Sequence, residues 1–157
     1  VVAIGSFGLF IQSDDQGKTW QKKIILNRDF DWHLYDFISL KNGKLLIGEA
    51  GTILYKKNKS QIWKKIISPY KGSLFGAVKH NDRKILIFGM RGKIFELTLK
   101  SKIKPSVKNF FQWKEIHTNS KATIMAALHY SSSKTFFFGD SGVIFLLDKD
   151  NSVLYSV

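Results

Sequence analysis

The sequence contains no cysteine, only two prolines and only three arginines among its 157 residues. The lack of cysteine excludes disulfide bonds and thiolate metal sites, and it fits a bacterial periplasm as well as a cytosol. No run of about 18 apolar residues occurs, so the sequence predicts no membrane-spanning helix. The chain begins at Val1 without an initiator methionine or a signal-peptide segment, and we therefore expect a piece of a longer or processed protein.

Helical patterns are missing as well. β-Branched and aromatic residues are frequent, and no stretch sustains a hydrophobic period of 3.6 residues. The composition, 44% hydrophobic and 14% aromatic, is that of a globular chain long enough for one buried core. The sequence therefore predicts a single all-β domain over residues 1–157.

Acidic residues are scarce relative to basic ones, and the formal net charge is +13. The excess is confined to the middle of the chain, where residues 41–115 carry 18 basic and 4 acidic side chains. Most of the basic residues are lysines, which is typical of a solvated surface. The alternative is a basic face that attracts an acidic partner.

A Gly-x-x-Gly element between two short apolar runs occurs four times, and a tryptophan follows three of the copies. The first glycines are Gly5, Gly48, Gly89 and Gly139, and the tryptophans are Trp20, Trp63 and Trp113. The glycines are 43, 41 and 50 residues apart, and the tryptophans 43 and 50. A period of about 40–50 residues with four short strands per unit is typical of a β-propeller blade.

We therefore predict a β-propeller of four-stranded antiparallel blades, with a longer loop around Pro105 in the third unit. The first blade is incomplete because its inner strand is missing. The approximate blades are residues 1–26, 32–67, 73–116 and 122–157. The unpaired edge strands of a partial propeller would also permit self-association.

One loop motif, Ser-x-Asp-x-Gly-x-Thr-Trp, is predicted to stabilise a hairpin. Asp15 is expected to accept hydrogen bonds from backbone N–H groups, Gly17 to adopt positive φ, and Trp20 to begin the next strand with a wide apolar face. A second copy has lost its polar residues and kept Trp63, as expected if the tryptophan packs between neighbouring blades. The residues of the intact motif are Ser13, Asp15, Gly17, Thr19 and Trp20.

This motif resembles the Asp-box of the BNR-repeat β-propellers. Residues 48–54, 68–76 and 89–95 are similar to one branch of that family, the bacterial photosystem II stability/assembly factor-like proteins. The resemblance covers essentially the whole chain and implies a larger, non-enzymatic, usually exported propeller, of which this chain spans about half. The chain departs from the family pattern because only one Asp-box is intact and lysines replace the Arg-Ser-Asp pattern expected after residues 52–54.

The resemblance implies a non-catalytic interaction or assembly scaffold of the bacterial cell envelope, periplasmic or otherwise exported. Its expected partner is a protein, acidic in the basic-face interpretation, and no cofactor or metal is expected. Propellers usually place binding groups in the loops that join strand two to strand three and one blade to the next. The candidate residues in these loops are Asp29, Asp31, His33, Glu49, Tyr70, Lys71, Arg91 and Asp140.

Two other functions are open. A glycan-binding or sialidase-type glycoside hydrolase needs an arginine cluster, whereas Arg28, Arg83 and Arg91 fall in different loops and only the first and last are placed to share a face. Nucleic-acid binding through residues 41–115 is not favoured, because an Arg-rich groove and a recognised module are both missing.

A metal site is a further hypothesis. The alternation Asp29-x-Asp31-x-His33 would put two carboxylates and an imidazole on one face of an extended segment. The more ordinary interpretation of such residues is solvated or hydrogen-bonded loop side chains. We therefore predict no metal.

Overall fold

The computed structural model describes residues 1–100, 111–131, 134–148 and 153–156, the last range by its backbone alone. Within these ranges the chain forms four antiparallel sheets, each made of strands that are consecutive in sequence. The predicted all-β class is confirmed. The predicted loop around Pro105 lies outside the described residues.

Each sheet is a simple up-and-down meander. The first contains β1 (Val2–Ile4), β2 (Phe10–Gln12) and β3 (Gln21–Lys22). The second contains β4 (Leu34–Leu40), β5 (Gly43–Gly48), β6 (Ile53–Lys57) and β7 (Lys64–Lys65). The third contains β8 (Leu74–Lys79), β9 (Lys84–Gly89), β10 (Ile94–Leu99) and β11 (Phe111–Ile116). The fourth contains β12 (Ile124–Ser131), β13 (Lys134–Gly139), β14 (Ile144–Leu147) and β15 (Val153–Ser156).

The second strands of the middle sheets are continuous apolar runs, because both faces of these sheets are covered. In β5, Leu45 and Ile47 face the third sheet, whereas Leu46 faces the first. All three side chains are fully buried. Alternating residues of one strand therefore belong to two different cores.

Three hydrophobic cores separate the four sheets, one between each successive pair. The first includes Phe10, Leu46 and Trp63; the second includes Leu45, Ile47, Leu74 and Ile87; the third includes Leu86, Phe88, Ile124, Phe137 and Phe145. Burial of one such side chain is worth about 1.5–3 kcal/mol. The sheets therefore pack face to face in the order of the sequence.

The four Gly-x-x-Gly elements are tight turns between the middle strands of each meander. The third residue of each turn has a left-handed backbone; these residues are Phe7, Ala50, Arg91 and Ser141, with φ of 50–57°. The closing glycine also has positive φ, and the next N–H bonds back across the turn, as Thr52 N does to Glu49 O (2.8 Å). Two consecutive positive φ angles define a type I′ turn, which suits a twisted hairpin.

These turns contact the segments that connect one sheet to the next. Gly51 N donates to Gly72 O (2.9 Å), Met90 N to Ser73 O (3.1 Å), and Asp140 N to Thr123 O (2.8 Å). Turns and connections therefore lie at the same end of the sheets. We call this end the turn rim; it comprises the four turns and the connections 23–33, 66–73 and 117–123. The opposite end, with the β4–β5 and β8–β9 hairpins and residues 13–20, is the hairpin end.

Asp36 ties the first strands of the second and third sheets together. Its Oδ2 accepts a hydrogen bond from Ala77 N (2.8 Å), 41 positions later, while its Oδ1 accepts from Phe37 N (2.7 Å). A β-bulge precedes Asp36 in β4, and another precedes Gly76 in β8. The strands β4, β8 and β12 thus lie side by side. No sequence pattern pointed to Asp36.

Among the residues that the structure describes, none belongs to a helix with the length and hydropathy needed to cross a membrane.

Candidate functional site

The loop that carries the Ser-Asp-Gly-Thr-Trp motif is closed by its own side chains. Asp15 Oδ1 accepts a hydrogen bond from Thr19 N (2.9 Å), and Asp15 Oδ2 accepts from Thr19 Oγ1 (2.6 Å). Ser13 Oγ donates to Asp15 Oδ1 (2.8 Å) and accepts from Gly17 N (2.7 Å). Gly17 has φ of +94°, and its carbonyl accepts from Trp20 Nε1 (3.0 Å). The polar side chains of the motif therefore bond within the loop and stabilise the turn.

The hydrogen bonds at Asp15 also make the loop sensitive to acid. The bonds from Thr19, and then that from Ser13, lower the pKa of Asp15 from 3.8 to about 2. Because the pKa is lower in the folded than in the unfolded chain, the ionised carboxylate stabilises the fold above about pH 4. That contribution is lost as the pH falls from about 4 to about 2.

We expect Asp15→Asn to lower the thermal unfolding midpoint by about 3–6 °C at pH 7, and by much less near pH 2. Circular dichroism melts at the two pH values measure the difference. The control is Asp14→Asn, because the exposed Asp14 carboxylate bonds the Gln12 side chain (2.6 Å) rather than the turn backbone. Equal losses at both pH values for Asp15→Asn would contradict the assignment of this acid sensitivity to Asp15.

The two tryptophans that follow the β2 and β6 strands differ in burial. Trp63 is buried between the first and second sheets, with its ring 5.8 Å from the ring of Phe10 in the first sheet. Trp20 is 41% exposed, although its loop motif is the intact one. The reason is that Trp63 faces the first sheet, whereas no described residues form a sheet on the corresponding side of Trp20.

A groove of about 380 Å³ opens on the turn rim beside the turn of the third sheet. Its charged or ionisable lining residues are Arg91, Lys93, Glu115, His117 and Lys121. Lys93 Nζ bonds Glu115 Oε1, and His117 Nδ1 lies 3.8 Å from the same oxygen. We call this the cationic groove; it presents more positive than negative groups and fits an acidic ligand.

The floor of the cationic groove is held by the buried residue Thr118. Its Oγ1 donates to Gly92 O (3.0 Å) and accepts from Ser120 N (3.3 Å), which joins the turn to the connection behind it. Arg91 is exposed and occupies the left-handed position of this turn. The fold therefore projects its guanidinium at the turn rim.

A row of partly exposed rings lies on the same end of the molecule. The ring centroids are 5.1 Å apart for Phe7 and His33, 6.4 Å for His33 and Tyr35, and 5.0 Å for Tyr35 and Phe75. Phe7 is 73% exposed and Tyr35 40%. We call these four residues the aromatic row. The row leads towards the third-sheet turn, because Ser73, two positions before Phe75, accepts the Met90 N–H.

Sequence reasoning missed Tyr35 and Phe75, and it placed Phe7 in a rim loop without naming it as a candidate. A signal was present in the sequence, because Tyr35 and Phe75 occupy equivalent positions in their repeats. In the structure each of them lies at the β-bulge of its strand. A bulge re-aims a side chain that simple alternation would place elsewhere.

The predicted candidates His33 and Glu49 are brought together. His33 N donates to Glu49 Oε2 (3.1 Å), and the imidazole Nε2 lies 3.9 Å from the same oxygen. Asp29 and Asp31 are exposed in the connection that precedes them. Over the ranges described, no three His, Asp or Glu side chains gather closely enough to hold a metal ion.

The other rim candidates are separated. Tyr70 is half-buried and packs against the core between the second and third sheets, with its ring 6.1 Å from that of Phe95. Its position is therefore one of packing rather than of ligand contact. Lys71 and Asp140 are exposed on different connections and turns.

Lysines crowd the second sheet, mainly at its hairpin end and on its outer strand. They are Lys41, Lys44, Lys56, Lys57, Lys59, Lys64 and Lys65. Lys44 Nζ lies 5.7 Å from the Phe37 ring and Lys56 Nζ 5.4 Å from the Trp63 ring, so their stems cover apolar surface. Burial, and then the neighbouring Lys44, lowers the pKa of Lys56. Much of the basic excess thus lies away from the turn rim.

A partly buried polar cluster involves residues of the third and fourth sheets. Glu96 is buried, and its Oε2 accepts a hydrogen bond from Lys84 Nζ (3.0 Å). The rings of His80 and His129 are 5.2 Å apart, and burial, followed by the charge of His129, lowers the pKa of His80. Lys84 is partly exposed, so the pair joins a buried carboxylate to an ammonium group that still reaches solvent.

No protein-family model and no curated protein matches this chain. The fold and the site define an all-β repeat protein of meander sheets whose turns and connections share one end.

Proposed function

We propose that the chain is a non-catalytic β-propeller of the BNR type whose turn rim binds an acidic segment of a protein partner. The four sheets are its blades. Three features support this arrangement: the strands β4, β8 and β12 lie side by side, successive sheets pack face to face, and the turns share one end. The closed loop around Asp15 supports the Asp-box assignment.

The observation that carries the function is that the turn rim holds both the aromatic row and the cationic groove. Interface residues that contribute most to protein binding are enriched in aromatic side chains and arginine. The aromatic row offers exposed rings, and Arg91 offers a planar guanidinium that pairs with a carboxylate through two hydrogen bonds. A partner segment that alternates acidic and apolar side chains would match both features.

The alternative functions receive less support. Arg28 lines a separate groove of about 390 Å³ beside the first-sheet turn, and Arg83 lies in the β8–β9 hairpin at the other end of the molecule. Neither joins Arg91 in the cluster that a sialidase-type site requires. In the part of the chain that the structure describes, the second-sheet lysines spread over hairpins and an outer strand rather than along one continuous track of the kind that binds a nucleic-acid strand.

We also propose that the protein is located in the cell envelope, as the resemblance implies. Fractionation of cells that express the protein from its native gene would test this location. Recovery with the cytosolic fraction would contradict it.

We expect an Asp/Glu-rich peptide of about 12 residues with interspersed Phe and Leu to bind more weakly to the Arg91→Ala variant by about fivefold. The lost contact is an exposed charge pair, so raising the salt from about 50 to about 150 mM should weaken binding of the unmodified protein as well. Fluorescence anisotropy of the labelled peptide measures both effects. Tyr35→Ala should weaken binding to a similar extent at every salt concentration.

Arg83→Ala is the matched control, because it removes the same exposed charge at the hairpin end. Equal losses for Arg83→Ala and Arg91→Ala would overturn the assignment to the turn rim. Displacement of the peptide by a single-stranded oligonucleotide, with Arg91→Ala and Tyr35→Ala both without effect, would favour the lysines and nucleic acid instead.

A further inference from the structure

One face of the fourth sheet is apolar, and no other sheet of the described residues packs on it. Leu128, Phe136 and Leu146 stand opposite one another across β12, β13 and β14, as do Ala126, Phe138 and Ile144. They alternate with Phe137 and Phe145, which are fully buried against the third sheet. We call these six residues the open face. Leu128 is 53% and Phe138 38% exposed.

Equivalent positions in the second and third sheets are covered. Leu45 and Ile47, which correspond to Phe136 and Phe138 in the repeat, are fully buried against the third sheet. Leu86 and Phe88 are buried against the fourth. In this repeat, such a face is thus the surface on which the following sheet packs.

The turn of the fourth sheet also lacks a packed neighbour among the described residues. A Cβ built on Gly51 or Gly92 would come within 2.1–2.2 Å of a carbonyl oxygen in the next connection. A Cβ on Gly142 would meet no atom within 4 Å.

The matching surface lies at the other end of the row of sheets. Ala3 and Ile11 pair across β1 and β2 and alternate with Phe10, which packs on the second sheet. Because Ile11 pairs with Lys22, strand alternation puts Trp20 on the same side as Ile11, and Trp20 is exposed. We call Ala3, Ile11 and Trp20 the indole face. Its equivalent in the second sheet, which carries Trp63, packs on Phe10 of the sheet before it.

We propose that a second copy of this chain seats its indole face on the open face. Trp63 contacts Phe10, two positions after its turn glycine, and the equivalent residue of the fourth sheet is Ile144. Trp20 of the second copy therefore packs on Ile144 and Phe138. The contact joins two different surfaces, and two such contacts related by a twofold axis close a ring of eight sheets.

This inference rests on the blade arrangement of the proposed function and is independent of the acidic ligand. Sedimentation velocity of the chain from about 1 µM to about 200 µM should show a concentration-dependent dimer. Phe138→Asp and Trp20→Asp should each weaken dimerisation at least about tenfold, because each buries an unpaired charge at both junctions. Ile62→Asp is the control, since Ile62 is exposed in a loop outside both faces.

A mixture of the Phe138→Asp and Trp20→Asp variants tests whether the open face of one copy packs on the indole face of the other. Each mixed pair keeps one intact junction, so a fluorescently labelled copy of one variant should associate with the other more tightly than with itself. A monomer at every concentration, a dimer that neither variant weakens, or a mixture that associates no better than the single variants would overturn the proposal. Unchanged thermal midpoints of the dilute variants establish that folding is intact, and peptide binding at the turn rim reports separately on the proposed function.

Discussion

Replacing Phe137 by alanine is expected to destabilise the protein by about 3–5 kcal/mol. Phe137 is fully buried in the core between the third and fourth sheets, and its ring lies 5.7 Å from that of Phe88 in an edge-on arrangement. The substitution removes the transfer free energy of the ring and leaves a cavity between two hydrogen-bonded sheets, which relax only partly. Urea unfolding followed by tryptophan fluorescence measures the loss.

The neighbouring residue supplies the matched control. Phe138 lies on the same strand, but it belongs to the open face and is 38% exposed. Phe138→Ala should therefore cost about 1 kcal/mol or less in dilute protein, where the proposed dimer is dissociated. Similar losses for Phe137→Ala and Phe138→Ala would contradict the arrangement in which, among the described residues, only the Phe137 face of the fourth sheet is covered.

Gly92→Ala is expected to destabilise the protein by about 2–4 kcal/mol, through two separate costs. The first is the positive φ of +67°, which a residue with a Cβ adopts at a cost of about 1–2 kcal/mol. The second is steric, because the added Cβ would lie 2.2 Å from Ser120 O and 2.7 Å from Thr118 Oγ1. The turn or the connection has to move, which disturbs the floor of the cationic groove.

Gly142→Ala isolates the steric cost. Gly142 has a similar φ of +75° in the equivalent turn, but its Cβ would meet nothing within 4 Å. We expect this variant to lose only about 1–2 kcal/mol. Equal losses for the two glycine variants in urea unfolding would show that the contact between turn and connection contributes nothing to stability.

Local patterns predicted much of the fold. Each of the four sheets lies within one of the four approximate blades predicted from the repeat. These predictions depended on runs of apolar and β-branched residues bounded by turn glycines, which are properties of neighbouring residues in the chain. The hydrogen bonds of Asp15 were predictable for the same reason, since both of its partners lie within four positions.

The candidate site was less predictable. Arg91 was chosen from its place in the repeat, and the structure adds Lys93, His117 and Lys121 around it. Tyr70 was chosen on the same grounds, but its ring packs on Phe95. The repeat alignment indicates which loop a residue belongs to, and it contains no information about the direction of the side chain.

The sequence by itself determined the strands, the turns and the hairpin motif, because these depend on interactions between residues a few positions apart. The tertiary structure decided which surfaces are covered. Trp20 and Trp63 follow equivalent strands, yet Trp63 is buried and Trp20 is 41% exposed. The bond from Asp36 to Ala77, the aromatic row and the open face likewise depend on the neighbouring sheet. Burial is a property of what packs against a residue, and that partner lies about 40 or more positions away in this repeat.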